Sequence, residues 1–268
     1  MQFRNIVQWL PALVVGFVSY HLFVTVAIVE AETDILGAVH LIETHPSDNE
    51  AFTQGLELYK GELIMGTGQY AQSAIGWLDL ETGLFHEAEV LPQHYFGEGL
   101  TFTEDTLWQL TWKEETAFKR NPLTLEVMAE VSYEGEGWGL AYDTERDVLW
   151  MSDGSSVLSI RDPETFELLD QLAVSFGDMP VDNLNELEYA DGALYANVWL
   201  TKQIVKINLE SGAVETIFDL TELIKQTKMT DAEREQLDML NGIAHIEEAR
   251  FYLTGKWYPV IYEVELID

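Results

Sequence analysis

The sequence predicts an all-β chain closed into a five-bladed β-propeller, with a short helical insertion between the fourth and fifth repeats. Two observations predict it. Five short blocks recur along the chain: Phe52-Thr53-Gln54-Gly55-Leu56, Phe96-Gly97-Glu98-Gly99-Leu100, Glu136-Gly137-Trp138-Gly139-Leu140, Leu184-Asn185-Glu186-Leu187 and Leu240-Asn241-Gly242-Ile243. Each is followed, after a polar turn, by a second apolar run, and these runs end in Met65-Gly66-Thr67-Gly68, Leu110-Thr111-Trp112, Met151-Ser152-Asp153, Asn197-Val198-Trp199 and Thr254-Gly255-Lys256. From the closing Leu or Ile of a block to the last residue of its partner is twelve positions, or thirteen in the third and fifth copies. The blocks restart every 40 to 56 residues, the length of one four-stranded blade. Residues at equivalent positions of every repeat therefore converge on the mouth of a central channel.

Taken in order, residues 1–31 form a separate segment. Arg4 precedes a mostly apolar stretch from Ile6 to Val29, followed by Val29-Glu30-Ala31, a small-residue cleavage signal in outline. Two readings stand, a cleaved signal peptide or an uncleaved membrane anchor, because the apolar stretch is longer than a usual signal core. Export through the inner membrane is favoured, to the periplasm or beyond, with anchoring by residues 6–29 as the rival. Residues 32–268 read as one propeller domain. Ala38-Val39-His40-Leu41-Ile42 and the carboxy-terminal Val260-Ile261-Tyr262-Glu263-Val264-Glu265-Leu266 read as strands that join the two ends in the last blade and leave no open edge. Between the third and fourth strands of successive repeats lie Asp79-Leu80-Glu81-Thr82-Gly83, Arg120-Asn121-Pro122, Arg161-Asp162-Pro163 and Asn208-Leu209-Glu210-Ser211-Gly212, which supply turn dihedrals. One segment breaks the pattern, from Thr221 to Met239. Within it Thr230-Asp231-Ala232-Glu233 is a capping-box pattern opening a helical period, read as a surface insertion, with a lid as the alternative.

Composition narrows the function. The 268 residues suffice for one large core. Fourteen Lys plus Arg against 47 Asp plus Glu give a formal charge of −33, so no basic stripe exists to displace counterions from nucleic acid. The acidity could draw cationic peptides, though solubility or salt adaptation is the plainer account. There is no cysteine, which excludes disulfides and a thiolate nucleophile. The six histidines lack metal-ligand spacing, no Gly-x-Ser-x-Gly elbow occurs, and Gly66-Thr67-Gly68-Gln69-Tyr70-Ala71 reads as a turn because no helix-forming stretch follows it.

The candidate chemistry lies in the blocks. In Phe96-Gly97-Glu98-Gly99-Leu100-Thr101-Phe102, alternation puts Glu98 on a face, or a channel-facing edge, shared with large apolar groups. A carboxylate there is costly unless hydrogen-bonded or partly protonated. The equivalent position holds Gln54, Trp138, Asn185 and Asn241 in the other repeats, and the partner position holds Gly68, Trp112, Asp153, Trp199 and Lys256. Titratable and amide groups thus alternate with indoles around one rim, as in a ligand pocket; burial of polar residues at strand ends and indoles as filler is the structural alternative. Asp153, in Ser152-Asp153-Gly154-Ser155, reads as a turn residue.

The runs FTQGL, FGEGL, LTWK, EGWGL, SDGS, NELE, YANVW, NGIA and TGK, in this order and spacing, resemble the glutamine cyclotransferase family, the plant and bacterial type of glutaminyl-peptide cyclotransferase. The resemblance covers residues 38 to 268. It implies a five-bladed propeller that converts an amino-terminal glutamine to pyroglutamate with release of ammonia, unrelated to the zinc-dependent animal enzymes of the same activity. It implies that Glu98 is the acid/base, that Asn185 and Lys256 act with it, and that Phe52, Gln54, Trp112, Trp138 and Trp199 bind the substrate. No cofactor and no catalytic zinc are expected, a structural ion in the channel stays open, and the partners are peptides or proteins with an amino-terminal Gln, acted on by a monomer. One departure is visible: many relatives carry Tyr-Gly-x-Ser-x-Leu-Arg where this chain has Tyr70-Ala71-Gln72-Ser73-Ala74-Ile75-Gly76, and the missing Arg puts in doubt any role for that loop in substrate binding or blade packing. Two rival functions remain, a non-catalytic propeller that binds a peptide or small molecule, and a calcium-dependent lactonase-like propeller with Glu98, Asn185, Asn241 and Asp153 as oxygen ligands.

Overall fold

The computed structural model describes residues 35–268, so the expected signal or anchor at residues 1–31 lies outside the described residues. Five four-stranded antiparallel sheets form the blades. The first comprises β2 (Thr53–Tyr59), β3 (Glu62–Thr67), β4 (Ala74–Leu78) and β5 (Phe85–Val90). The second comprises β6 (Gly97–Phe102), β7 (Leu107–Thr111), β8 (Thr116–Arg120) and β9 (Val127–Ser132), and the third β10 (Leu140–Asp143), β11 (Val148–Met151), β12 (Val157–Arg161) and β13 (Leu168–Ala173). The fourth holds β16 (Leu184–Ala190), β17 (Ala193–Val198), β18 (Gln203–Asn208) and β19 (Val214–Asp219). The fifth joins β20 (Leu240–Glu247), β21 (Arg250–Gly255) and β22 (Val260–Ile267) to β1 (Ala38–Pro46), in the order β1-β22-β21-β20. The first and last strands of the described residues therefore close the ring as expected, with Ala38 opposite Ile267 and Pro46 opposite Val260.

Burial explains the pattern of the blocks. Every residue of the innermost strand β6 is buried, whereas five of the six in the outermost β9 are exposed. An inner strand is covered on both faces by neighbouring blades, so it loses the alternation of a half-exposed strand. The apolar core divides into one cluster per blade junction. Ile64 and Ile75 of the first blade meet Leu100 and Leu107 of the second. Trp108 and Leu110 meet Leu140 and Met151 at the next junction, and Trp150 and Leu158 meet Leu187 and Leu194 at the one after. Ile204 and Phe218 meet Leu253 and Tyr262, and Ala244 and Ile261 meet Leu56 and Met65 to complete the circle.

Four of the five inner strands carry a register shift at the block itself, between Thr53/Gly55, Gly97/Leu100, Leu184/Leu187 and Leu240/Ile243. A bulge turns the polar residue it contains away from strict alternation. Glu98 and Leu100 consequently lie in different surroundings, cavity and core, although the sequence puts them two apart. At Gly139 a Cβ would sit 2.0 Å from the carbonyl oxygen of Asn185, so the backbones of adjacent blades touch where a side chain cannot fit.

The insertion between the fourth and fifth repeats holds α1 (Thr221–Gln226) and α2 (Asp231–Gln236). The Thr230 hydroxyl accepts from Glu233 N while the Glu233 carboxylate accepts from Thr230 N, the capping box read from the sequence. Arg234 of α2 donates to the carbonyls of Ile224 and Thr227, tying the two helices together. A small hairpin, β14 (Ser175–Phe176) with β15 (Met179–Pro180), was not expected. No helix of the described residues is long and apolar enough to cross a membrane.

Candidate active site

A cavity of about 250 Å³ opens where the inner strands begin. All eight residues singled out in the sequence line it: Phe52, Gln54, Glu98, Trp112, Trp138, Asn185, Trp199 and Lys256. Phe96, Leu200, Asp238 and Met239 complete the wall. The last two are the final residues of the insertion, which is held to the fifth blade there by Lys256 N donating to the Met239 carbonyl at 2.9 Å. Asp153 and Asn241 do not line the cavity. Asp153 is exposed and accepts from Ser155 N and Oγ in its own turn. The four oxygen ligands of the calcium reading therefore do not converge. Tyr70–Gly76 also lies outside the wall; a Cβ on Gly76 would meet the His86 carbonyl oxygen at 2.0 Å, so β4 has no room there for an Arg side chain.

Glu98 is 4% exposed. Its Oε1 accepts from Gln54 Nε2 at 2.9 Å, and Gln54 Oε1 accepts from Asn241 Nδ2 at 3.1 Å. Asn241 thereby fixes which end of the Gln54 amide faces the carboxylate. The sequence set Asn241 at the same repeat position and offered it only as an oxygen ligand in the calcium reading, not as a partner of Gln54. Burial is the largest influence on Glu98 and holds its carboxyl well above the usual range; Lys256 opposes this, while Glu114 and Glu136 add to it. Lys256, 6% exposed, is pushed the other way: burial lowers its ammonium pKa, against the opposing pull of Glu98 and Asp238. Its Nζ lies 5.0 Å from the centre of the Phe52 ring.

Asn185 is 3% exposed, and its side-chain oxygen is buried with no hydrogen-bond partner among the described residues. An orphaned acceptor in a cavity wall is costly unless a ligand supplies a donor. The aromatic wall has two runs: Phe52 meets Phe96 edge-on at 6.1 Å and Phe96 meets Trp112 at 5.5 Å, while Trp138 meets Trp199 at 5.5 Å. The indole N–H groups of Trp112 and Trp138 both donate to Glu136 Oε2, at 2.8 and 3.0 Å. An indole has one donor, so these two are spent, and neither N–H is free to donate to a ligand in the cavity.

Among the described residues one trio could hold a metal ion by geometry, Glu43, His45 and Glu263, on the closing blade. Its Glu263 already pairs with His45 at 3.0 Å and accepts from Arg250, so the guanidinium of Arg250 already balances the charge of the carboxylate.

Comparison with known proteins places this geometry. The chain is 34% identical over 235 residues to the glutaminyl-peptide cyclotransferase of Arabidopsis thaliana, covering 86% of this chain and 72% of that one. It superposes on the crystal structure of the Myxococcus xanthus glutaminyl cyclase with a TM-score of 0.75 and 31% identity, over 87% of this chain and 99% of that one. A Bacteroides thetaiotaomicron protein of unknown function, 11% identical with a TM-score of 0.53 over 86% of this chain and 76% of that one, shares the fold alone. The family model described as glutamine cyclotransferase matches residues 17–266. With its five blades and its sequence both aligned on that group, the chain belongs to the glutamine cyclotransferase family.

Proposed function

We propose that the chain cyclises the amino-terminal glutamine of peptides or proteins to pyroglutamate and releases ammonia, with Glu98 carrying the proton through both transfers. The observation that carries the reading is a buried carboxylate with a raised pKa in an indole-walled cavity, beside a buried ammonium and an unsatisfied amide oxygen. An α-amino group titrates near pH 8, roughly, so part of it is neutral at working pH. The ionised Glu98 takes a proton from this amine as its nitrogen attacks the side-chain carboxamide carbon of the same residue. A tetrahedral adduct forms. Protonated Glu98 then gives the proton to the carboxamide nitrogen, the C–N bond breaks, and ammonia leaves with the ring closed. One carboxylate can serve both transfers, and burial, by raising its pKa, makes it a stronger base for the first than a free carboxylate while leaving it able to return the proton in the second.

The other residues set geometry and charge. Asn185 Oδ1 accepts from the substrate amine or carboxamide N–H, which satisfies its missing bond. Lys256, and the indole N–H of Trp199, remain as donors for the developing oxyanion. Trp112, Trp138 and Phe52 hold the glutaminyl chain folded, the arrangement that makes an intramolecular attack fast. No step needs a cofactor. Residues 1–31 are read as the export signal or anchor that brings the enzyme, as a monomer, to exported substrates; the apolar run from Ile6 to Val29 supports this.

The test is ammonia release from Gln-Ala beside N-acetyl-Gln-Ala. The free amine should yield ammonia and a pyroglutamyl product, and the acetylated peptide should yield none. Binding of Gln-Ala with no ammonia from either peptide would instead establish a non-catalytic binding propeller.

A further inference from the structure

Two of the three cavity indoles, Trp112 and Trp138, are held by a residue that the sequence motif contains but does not explain. Glu136 lies two residues before Trp138, in the segment entering the third blade. Its Oε2 accepts the indole N–H of Trp112 from the second blade and of Trp138 from the third. Lys113 Nζ stands 3.6 Å from its other oxygen and 3.8 Å above the Trp112 ring. An exposed ion pair of this kind contributes little on its own, and both Lys113 and Glu136 are partly exposed. The bonds to the indoles are different: each is charge-assisted, and each uses the one polar atom that can fix the rotation of its ring.

We propose that Glu136 is a positioning residue for the cyclisation, clamping Trp112 and Trp138 of adjacent blades so that the cavity keeps the width of a folded glutaminyl side chain. This rests on the cyclotransferase reading of the cavity. Glu136 also acts at a distance. The charged groups that bear on Glu98 are Lys256, which lowers its pKa, and Glu114 and Glu136, which raise it; Tyr70 and Tyr133 are neutral phenols whose own pKa values Glu98 helps to raise. Removing the charge of Glu136 alone therefore lowers the pKa of Glu98, separately from any effect on the indoles.

The experiment compares E136A, E136Q, W112F/W138F and the triple variant with the wild-type chain, using Gln-Ala as substrate and recording melting curves, tryptophan emission and pH profiles. E136A should lose about 10- to 100-fold in kcat/KM, the scale of a misplaced wall, with the melting curve still cooperative. E136Q keeps an acceptor oxygen and should recover to within about threefold, while its acid limb moves to lower pH. Phenylalanine has no N–H, so in the W112F/W138F background E136A should cost less than about threefold, the non-additivity expected of residues acting as a unit. Equal losses in both backgrounds, or wild-type kinetics in E136A, would overturn the clamp. If W112F/W138F does not fold, E136Q as damaged as E136A overturns it instead. A wild-type chain inert on Gln-Ala refutes the enzymatic reading and not the clamp; tryptophan emission then decides, since identical spectra for wild type and E136A would mean the indole bonds are absent.

Discussion

Replacing Glu98 by Gln tests the proton shuttle most directly, because burial makes the substitution nearly neutral for the fold. Desolvation already favours the uncharged carboxyl at this site, and Gln is close in shape to that uncharged form. The sign of the stability effect follows. A carboxyl whose folded pKa lies above its unfolded value contributes fully at low pH, and the contribution falls as pH rises from the unfolded toward the folded pKa. At pH 7–8 the wild-type chain has lost some or all of it, so E98Q should melt at the same temperature or higher. The Gln54 amide keeps its partner, since the carbonyl of the new side chain accepts at the same 2.9 Å position. Lys256 loses the carboxylate that raises its pKa and deprotonates at lower pH, so kinetics should be compared across a pH series. With proton transfer removed and the aromatic walls intact, kcat should fall by about 10²–10⁴, or ~3–5 kcal/mol of barrier. KM should stay within about threefold, and with chemistry this slow it approximates the dissociation constant. Continuous ammonia detection measures both. A kcat within tenfold of wild type, or a rise in KM matching the whole loss, would refute the shuttle.

Lys256→Met removes the one cation that lowers the Glu98 pKa, so the acid limb of the kcat/KM profile should move to higher pH; a static limb would separate the two residues. Glu186, whose carboxylate accepts from Leu56 N at 3.2 Å and Ile243 N at 2.9 Å, ties the fourth blade to the first and fifth. Glu186→Ala leaves two buried N–H groups unpaired at about 1–3 kcal/mol each, and should lower Tm by at least about 4 °C in calorimetry. In Gly139→Ala the new methyl meets the Asn185 carbonyl at 2.0 Å; overpacking against backbone should cost about 1–3 kcal/mol or more and raise KM as Asn185 is displaced. An unchanged melting temperature in either alanine variant would remove the packing argument for that position.

The repeat was legible because each block combines two local signals, an apolar residue that closes a blade junction and a polar turn at fixed distance. The terminal closure was legible too, since two strands without local partners remained at opposite ends. Bulges were not. Alternation placed Glu98 with Leu100, and only the register shift between Gly97 and Leu100 separates them. The β14–β15 hairpin escaped because two-residue strands leave no period to read. Glu136 escaped for a different reason: one of its two partners, Trp112, lies 24 residues away in another blade, so in sequence it looks like any other acid among 47.

The site depends on ring closure in a way that no single blade reveals. Asn241 of the fifth blade donates to Gln54 of the first, and Gln54 donates to Glu98 of the second. The bonds have a fixed direction. Because Gln54 Oε1 is occupied by Asn241, only Nε2 can face Glu98, and a donor there favours the ionised carboxylate against the desolvation that opposes it. The contact between the fifth and first blades is made by the cluster containing Leu56, Met65, Ala244 and Ile261, and Ile261 stands on β22, opposite His45 of β1. An outer strand supplied by the beginning of the domain therefore braces the junction across which the proton-carrying acid is oriented.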